Sequence, residues 1–589
     1  WRCLAARNRS EIFAGGDFSH CKMGRFDLTL QQSLHHTDMA ASGTASMRLV
    51  GKMTALDYII VGAGSAGCVL ADKLSADGRH SVLLLEAGPS DRRFWVQTPI
   101  GYGATFTDPS VNWRFHGVPE AGLNGRSMYV PRGKVLGGSS SINALVYHRG
   151  QASDYDDWQR AGNAGWDYQS LLPFFERFES VVGANQPPQN AAGKLTITDV
   201  ADQYHPIKSA FFAMSRELQI PHEKRCQMSG EGVYPYYITT RNGKRCSSAT
   251  AFLWPAKHRQ NLRVMTGAMV TKLIIRDGAA VGVAAEQHGQ SHIFSARAEI
   301  ILAAGAIGSP HILQLSGIGP GALCQSHGIE TVCDQPNVGQ HLADHLGINY
   351  FHLANRPTLN NILGSWPHLL LAGARYLLQR QGPLSIGVNQ LGGLVRATAD
   401  APRLDTQLYI NPITYRIPDD NKRRLTKPDR APGFVLGFNA CRPYSTGSVS
   451  IKSPDATVAP AIHGNYLDDQ RDLDDVIRMA RFIGRMQQSP AVQQLLAAPP
   501  ETDLQALSDA HILDDFKARS GTVFHPTGTC RMGPDQRHCV VDPQLRVYGV
   551  DRLRVADAAI FPNITSANTN APTIMVAHKA AGLILASRR

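Results

Sequence analysis

From residue 56 the chain reads LDYIIVGAGSAGCVLADKLSADGRHSVLLLEAG, and the spacing of its apolar positions changes twice along that stretch. The unbroken run at 58–61 predicts a strand buried on both faces. Small and apolar residues after Gly64 predict a helix, Gly78 stops it, and the run at 82–85 predicts a second buried strand. A helix between two such strands makes them parallel, a βαβ unit. Comparable texture returns in pieces. Residues 264–285 predict a β-hairpin, and 299–319 a strand, a tight turn and a helix. Near the end, DRLRVADAAIFP predicts a strand, and a helix follows from about Pro572, a residue suited to a first turn. Between these pieces, 155–240 is aromatic and proline-containing, with a loop at 182–193. Residues 350–520 are mixed, with TGSVSIKSP strand-like, so a second domain is threaded through the first.

The 589 residues exceed what one hydrophobic core usually supports, which agrees with two domains. The first 52 carry seven Lys/Arg and four Asp/Glu, show no strand alternation, helix period or secretory apolar stretch, and are expected to lie outside the fold. A hydrophobic fraction of 43% with 18% charged residues is globular. The formal charge of +11 invites a nucleic-acid reading, yet no basic stripe interleaved with aromatics occurs, so nucleic acid is not an expected partner. Ten scattered cysteines without a CxxC point to a reducing compartment, the cytoplasm. No apolar run is long enough to span a membrane. The segment SWPHLLLAGARYLLQR (365–380) fits either a helix of the second domain or peripheral attachment at the inner membrane.

Gly62, Gly64 and Gly67 form GxGxxG. In a chain with 54 glycines that spacing is expected about half a time by chance, so its context carries the meaning. A strand before it, a helix after it and Glu86 closing the second strand fit a dinucleotide site. Its glycines admit the pyrophosphate to the backbone, the helix N-terminus faces the charge, and the carboxylate accepts from ribose hydroxyls. A bare structural turn is the alternative. The stretch VFHPTGTCRMGPDQRHC (523–539) holds His525, Cys530, His538 and Cys539, which suit a zinc site, a thiolate paired with histidine, or a single acid/base histidine. Adjacent His538 and Cys539 make tetrahedral ligation awkward, and no metal is expected.

PRGKVLGGSSSINALVYHRG (131–150) and GAIGSPHILQLSGIG (305–319) resemble the two signature stretches of the glucose-methanol-choline (GMC) oxidoreductases. With the βαβ unit, NVGQHLADH (337–345), FHPTGTCRMG (524–533) and NTNAPTIMVAHKAA (568–581), the resemblance runs from Met53 to the end, nearest the choline and alcohol dehydrogenase branch. It implies an α/β fold: a Rossmann-like FAD-binding domain (53–154, 241–349, 521–589) interleaved with a mixed α+β substrate domain on an antiparallel sheet (155–240, 350–520). It also implies oxidation of an alcohol to a carbonyl. The adenine end of FAD would lie on Gly62, Gly64, Ser65, Ala66, Gly67, Glu86 and Val270. The flavin would lie against Gly137, Gly138, Asn143 and Ala144, with Asp557 and Ala558 near the ribityl and pyrophosphate. His525 and Asn568 match the pair facing flavin N5, and Phe524 lines the pocket.

Where some relatives tether FAD through a histidine, this chain has Ile142, so non-covalent FAD is expected; where others have a second histidine, it has Asn568. The expected reaction is oxidation of an uncharged primary alcohol, with choline as the alternative substrate, and His525 is the expected base. The acceptor is a quinone, another carrier or O2. A lyase with structural FAD, a silent FAD-binding protein and an NAD enzyme are the alternatives.

Overall fold

The computed structural model describes residues 56–183, 186–415 and 428–587, so the expectation for the first 52 residues lies outside them. Two sheets organise the described chain. The first has seven strands: β1 (Leu56–Val61), β2 (Val82–Glu86), β4 (Leu262–Thr266), β5 (Ala268–Arg276), β6 (Ala279–Gln287), β7 (Gln290–Leu302) and β13 (Leu553–Val555). The second has six: β3 (Tyr234–Pro235), β8 (Leu346–Leu353), β9 (Leu391–Val395), β10 (Thr406–Asn411), β11 (Gly433–Ala440) and β12 (Gly521–Thr522).

The first sheet runs β4-β2-β1-β7-β6-β5, with β13 also paired to β7. Ile59 lies opposite Leu83 and Ile300, and Ile300 opposite Leu553, all parallel. Tyr58–Val61 and Val82–Glu86 are buried because helices cover both faces, which is what their unbroken apolar runs require. Helix α1 (Ser65–Leu74) crosses from β1 toward β2 and packs on the C-terminal helix α4 (Asn570–Ala586). Helix α2 (Gly305–Leu315) follows β7. The stretch read as a hairpin is larger than expected: β5, β6 and β7 form an antiparallel meander, and the thirteen residues of β7 serve both halves of the sheet.

The second sheet runs β12-β8-β11-β10-β9-β3, antiparallel throughout. The Rossmann-like sheet and the antiparallel sheet are those the sequence led us to expect. Packing crosses the sequence boundaries between them. Trp158, Trp166 and Phe175 join the core of the first sheet although they lie within 155–240, and β12, from the C-terminal piece, extends the second sheet. Residues 365–380 do form a helix, α3 (Trp366–Gln379). No described helix is long and apolar enough to cross a membrane.

Candidate active site

The turn after β1 is built around glycine. Gly62 has φ +98°, and a Cβ there would sit 2.6 Å from the carbonyl oxygen of Ala303, so both backbone shape and space exclude a side chain. Gly64 caps α1 without a side-chain hydrogen bond, which leaves first-turn N–H groups free for a ligand. Gly64, Ser65 and Ala66 line a cavity of about 560 Å³ that continues past Glu86, Val270, Gly138, Asn143, Ala144, Asp557 and Ala558 to Phe524, His525 and Asn568. Thus nearly every site residue expected from the sequence faces one space. Gly67 and Gly137 stand behind its wall. A Cβ on Gly67 would lie 1.8 Å from the Gly62 carbonyl oxygen, and Gly137, φ +87°, donates its N–H to the Ala63 carbonyl at 2.7 Å. Both permit close packing beneath the cradle.

Two buried carboxylates frame this end. Glu86 accepts from the N–H groups of Ala63 (2.9 Å) and Gly88 (2.8 Å), one on each oxygen, so each oxygen keeps acceptor capacity toward the cavity. Burial pushes its carboxyl up to about 7, against the pull of those donors. Asp557 accepts from Gly305 N–H (2.8 Å), the Ser309 hydroxyl (2.6 Å) and Ala559 N–H (2.7 Å), tying β13 to the start of α2.

At the other end β12 delivers Phe524 and His525. Phe524 has φ +71°, a left-handed conformation that costs a phenylalanine about 1–3 kcal/mol. It is held there by its N–H donating to the Thr522 hydroxyl (2.9 Å) and its carbonyl accepting from Arg132 Nη2 (2.6 Å). The His525 N–H donates to Asp344 Oδ1 (2.7 Å), and Asp344 also accepts from Tyr466 and Thr522. Asp344 is buried, which pushes its carboxyl above the usual range against the pull of these donors and of Arg132.

The imidazole of His525 sits in a directed chain of hydrogen bonds. His345 Nε2 lies 2.9 Å from the Cys441 carbonyl, which can only accept, so Nε2 carries the proton and Nδ1 the lone pair. His525 Nδ1 lies 2.9 Å from that lone pair and must donate, which leaves Nε2 of His525 as the acceptor. Asn568 Nδ2 donates to it at 3.1 Å. Burial, then His345 and Arg132, hold the imidazole well below its usual titration range of 6.5, so it is neutral near pH 7. Asn568 is not a helix cap: Thr569 occupies that place in α4, and Asn570 accepts from the Ser65 hydroxyl at 2.7 Å.

His345, Asp344 and Arg132 are the residues the sequence reading missed. His345 closes the quoted NVGQHLADH, so the signal was present without a reason to separate it from its neighbours. No aromatic could be placed beside Phe524 from sequence. In the fold Phe106 meets it edge-on with ring centroids 5.3 Å apart, and Trp113, Tyr409 and Phe438 also line the cavity. The four-residue zinc reading has no spatial basis. Cys530 is in the core, His538 is exposed, and both ring nitrogens of His525 are engaged. Burial beside Asp557 raises the Cys530 thiol well above its ordinary range, so it is a packed thiol and not a thiolate.

Two family models described as GMC oxidoreductase match residues 56–347 and 443–577. The chain is 37% identical over 540 residues to the oxygen-dependent choline dehydrogenase of Vibrio vulnificus (strain YJ016), covering 90% of this chain and 94% of that one. It is 37% identical over 539 residues to the alcohol dehydrogenase [acceptor] of Pseudomonas putida, covering 90% and 95%. Among solved structures, pyridoxine 4-oxidase from Mesorbium loti superimposes with a TM-score of 0.78 at 28% identity, covering 90% of this chain and 98% of that one. A formate oxidase, at 24% identity and a TM-score of 0.83, shares the fold and covers 91% and 99%. The matched segments contain the glycine turn, the Gly138 loop, His345 and the His525–Asn568 pair, and on that agreement of sequence and fold the chain belongs to the GMC oxidoreductases.

Proposed function

We propose that this protein oxidises a neutral primary alcohol to the aldehyde, with FAD as cofactor and His525 as base. The observation that carries this reading is the forced tautomer: a neutral imidazole presents its Nε2 lone pair to a cavity whose far end is a dinucleotide cradle. The uncapped first turn of α1, Glu86 and the close approach of Gly138 to Gly64 suit FAD. Gly62, Gly64, Ser65, Ala66, Glu86 and Val270 would hold its adenine half, Asp557 and Ala558 the middle, and Gly138, Asn143 and Ala144 the flavin. Held there, FAD would supply the acceptor for the hydride that leaves the alcohol carbon. His525 Nε2 removes the hydroxyl proton, breaking O–H and forming N–H. Asn568 Nδ2, 3.1 Å from Nε2, is placed to donate to the substrate oxygen and steady its developing charge.

Substrate charge follows from what the walls carry. Among the described lining residues the carboxylates are Glu86 and Asp557, both in the cradle, and the cation is Arg132, whose charge is felt by His525. A quaternary ammonium would find no counter-ion there. Choline is the second reading, favoured by the names of the relatives and by rings that could face a cation. Anaerobic flavin bleaching should be at least about tenfold more efficient in kcat/KM for the neutral carbon isostere of choline than for choline itself. A preference for choline overturns the ordering. The acceptor is a quinone, another carrier or O2, met in the cytoplasm or at a membrane to which the protein attaches peripherally. Ile142 lines the cavity where a tether would stand, so acid precipitation should release all flavin to the supernatant.

His345 is a positioning residue. Its replacement by Phe removes the acceptor for His525 Nδ1–H and frees the wrong tautomer. The expected loss is about 10–100-fold in kcat with KM little changed and flavin retained. His345→Gln, which keeps an acceptor oxygen, should recover part of it. Equal loss in both variants would assign His345 a packing role only.

A further inference from the structure

Helix α3 turns its apolar side outward. Its buried residues are Ala372 and Tyr376, one turn apart, which pack with Leu384 and Ile100. On the opposite side Trp366 is 75% exposed, Leu370 64%, Leu371 70% and Leu378 85%. At about 100° per residue, Trp366, Leu377, Leu370, Ala374, Leu378 and Leu371 span an unbroken apolar arc of about 140°. A soluble helix would carry polar residues there, and an exposed patch of this kind marks a contact surface. Phe94 and Trp95, 52% and 50% exposed, stand on the short helix Phe94–Gln97 that leads to Ile100 at the underside of α3.

Charge selects the occupant. Between Asp344 and Asp400 the chain has no Asp or Glu, and α3 and its end carry Arg375 and Arg380. Arg375 borders the apolar arc, Arg380 follows the helix, and Arg92 and Arg93 precede Phe94. A second copy of a +11 chain would set one arginine-bearing face against another. An anionic bilayer satisfies both features, with leucines and Trp366 entering the headgroup boundary and arginines meeting lipid phosphate. The segments beneath α3 also run straight into the cavity wall: Ile100 precedes Tyr102, and Leu384 precedes Val388 and Asn389, all three lining it.

We infer that α3 is the surface by which this protein docks on an anionic membrane, lying in the interface and not spanning it. The inference deepens the peripheral attachment proposed above, and it rests on the oxidation reading only for its purpose; docking itself is measured without substrate. The FAD-loaded full chain is sedimented with phosphatidylcholine vesicles containing phosphatidylglycerol, and with phosphatidylcholine alone. The comparison variants are Leu370→Glu/Leu371→Glu/Leu378→Glu and, away from α3, Val332→Glu.

Binding to the anionic vesicles is expected, weaker at high salt and on neutral vesicles. It should fall at least about tenfold in the triple variant and stay unchanged in Val332→Glu. Flavin content and alcohol oxidation with a soluble dye should match wild type, so a failed oxidation and a failed docking are read separately. Absence of wild-type binding overturns the inference, as does equal binding by the triple variant. Light scattering that shows a dimer lost in the triple variant would overturn it in favour of a second copy.

Discussion

His525→Ala should slow anaerobic flavin reduction by about two to four orders of magnitude, the range for losing a positioned acid/base group, while FAD stays bound. The proposed cofactor cradle is Gly62, the first turn of α1, Glu86 and Gly138, and the hydrogen bonds of the imidazole run instead to His345 and Asn568, so flavin content is a fair control. Cys530→Ser, a change to a core thiol of raised pKa, should leave the rate near wild type. The wild-type pH profile carries its own test. Because burial, His345 and Arg132 hold His525 in its neutral form, kcat/KM should stay level from alkaline pH down through 6.5 and fall only below it. A midpoint at or above 6.5 would mean that another group is the base, and near wild-type reduction by His525→Ala would sink the mechanism.

Gly67→Ala should abolish purification with bound FAD. The added methyl would lie 1.8 Å from the Gly62 carbonyl oxygen, a backbone atom that cannot rotate away. Either α1 moves off β1 or the turn at Gly62 opens, and both displace the first-turn N–H groups proposed to hold the cofactor. Overpacking of this kind costs about 3 kcal/mol or more, roughly 150-fold in affinity if expressed at the site. Gly373→Ala in α3, where nothing lies within 4 Å, is the matched control and should gain about 0.5–1 kcal/mol of stability from helix propensity. Equilibrium titration of the apoprotein with FAD reads the affinity of both variants, and thermal unfolding reads the gain in Gly373→Ala. An alanine at 67 that binds FAD like wild type would show that the helix has slack the packing does not suggest.

The parts of the fold legible in the sequence are those set by local pattern. Unbroken apolar runs gave β1 and β2, the glycine turn gave the start of α1, and a proline near its first turn gave α4. The central meander was half seen, because β7 changes partners midway and no period marks where parallel pairing begins. The placement of Trp158, Trp166 and Phe175 against the first sheet was hidden, since an aromatic segment carries no label for the core it will join. In the site, Phe524, His525 and Asn568 were reached through a family resemblance. Their physical reason, the tautomer imposed through His345 by the Cys441 carbonyl, depends on groups 96 and 180 positions apart and leaves no trace in spacing.

The hydrogen bond between Ser65 and Asn570 joins residues 505 apart, and β13 enters the sheet beside β7, which lies next to β1. The cradle is therefore shut by elements synthesised about 500 residues after the glycine turn they close upon. Contacts this distant are slow to form and cannot be rehearsed by a growing chain. Flavin loading must follow synthesis of β13 and α4, so a chain stalled before residue 553 should emerge colourless even when FAD is abundant.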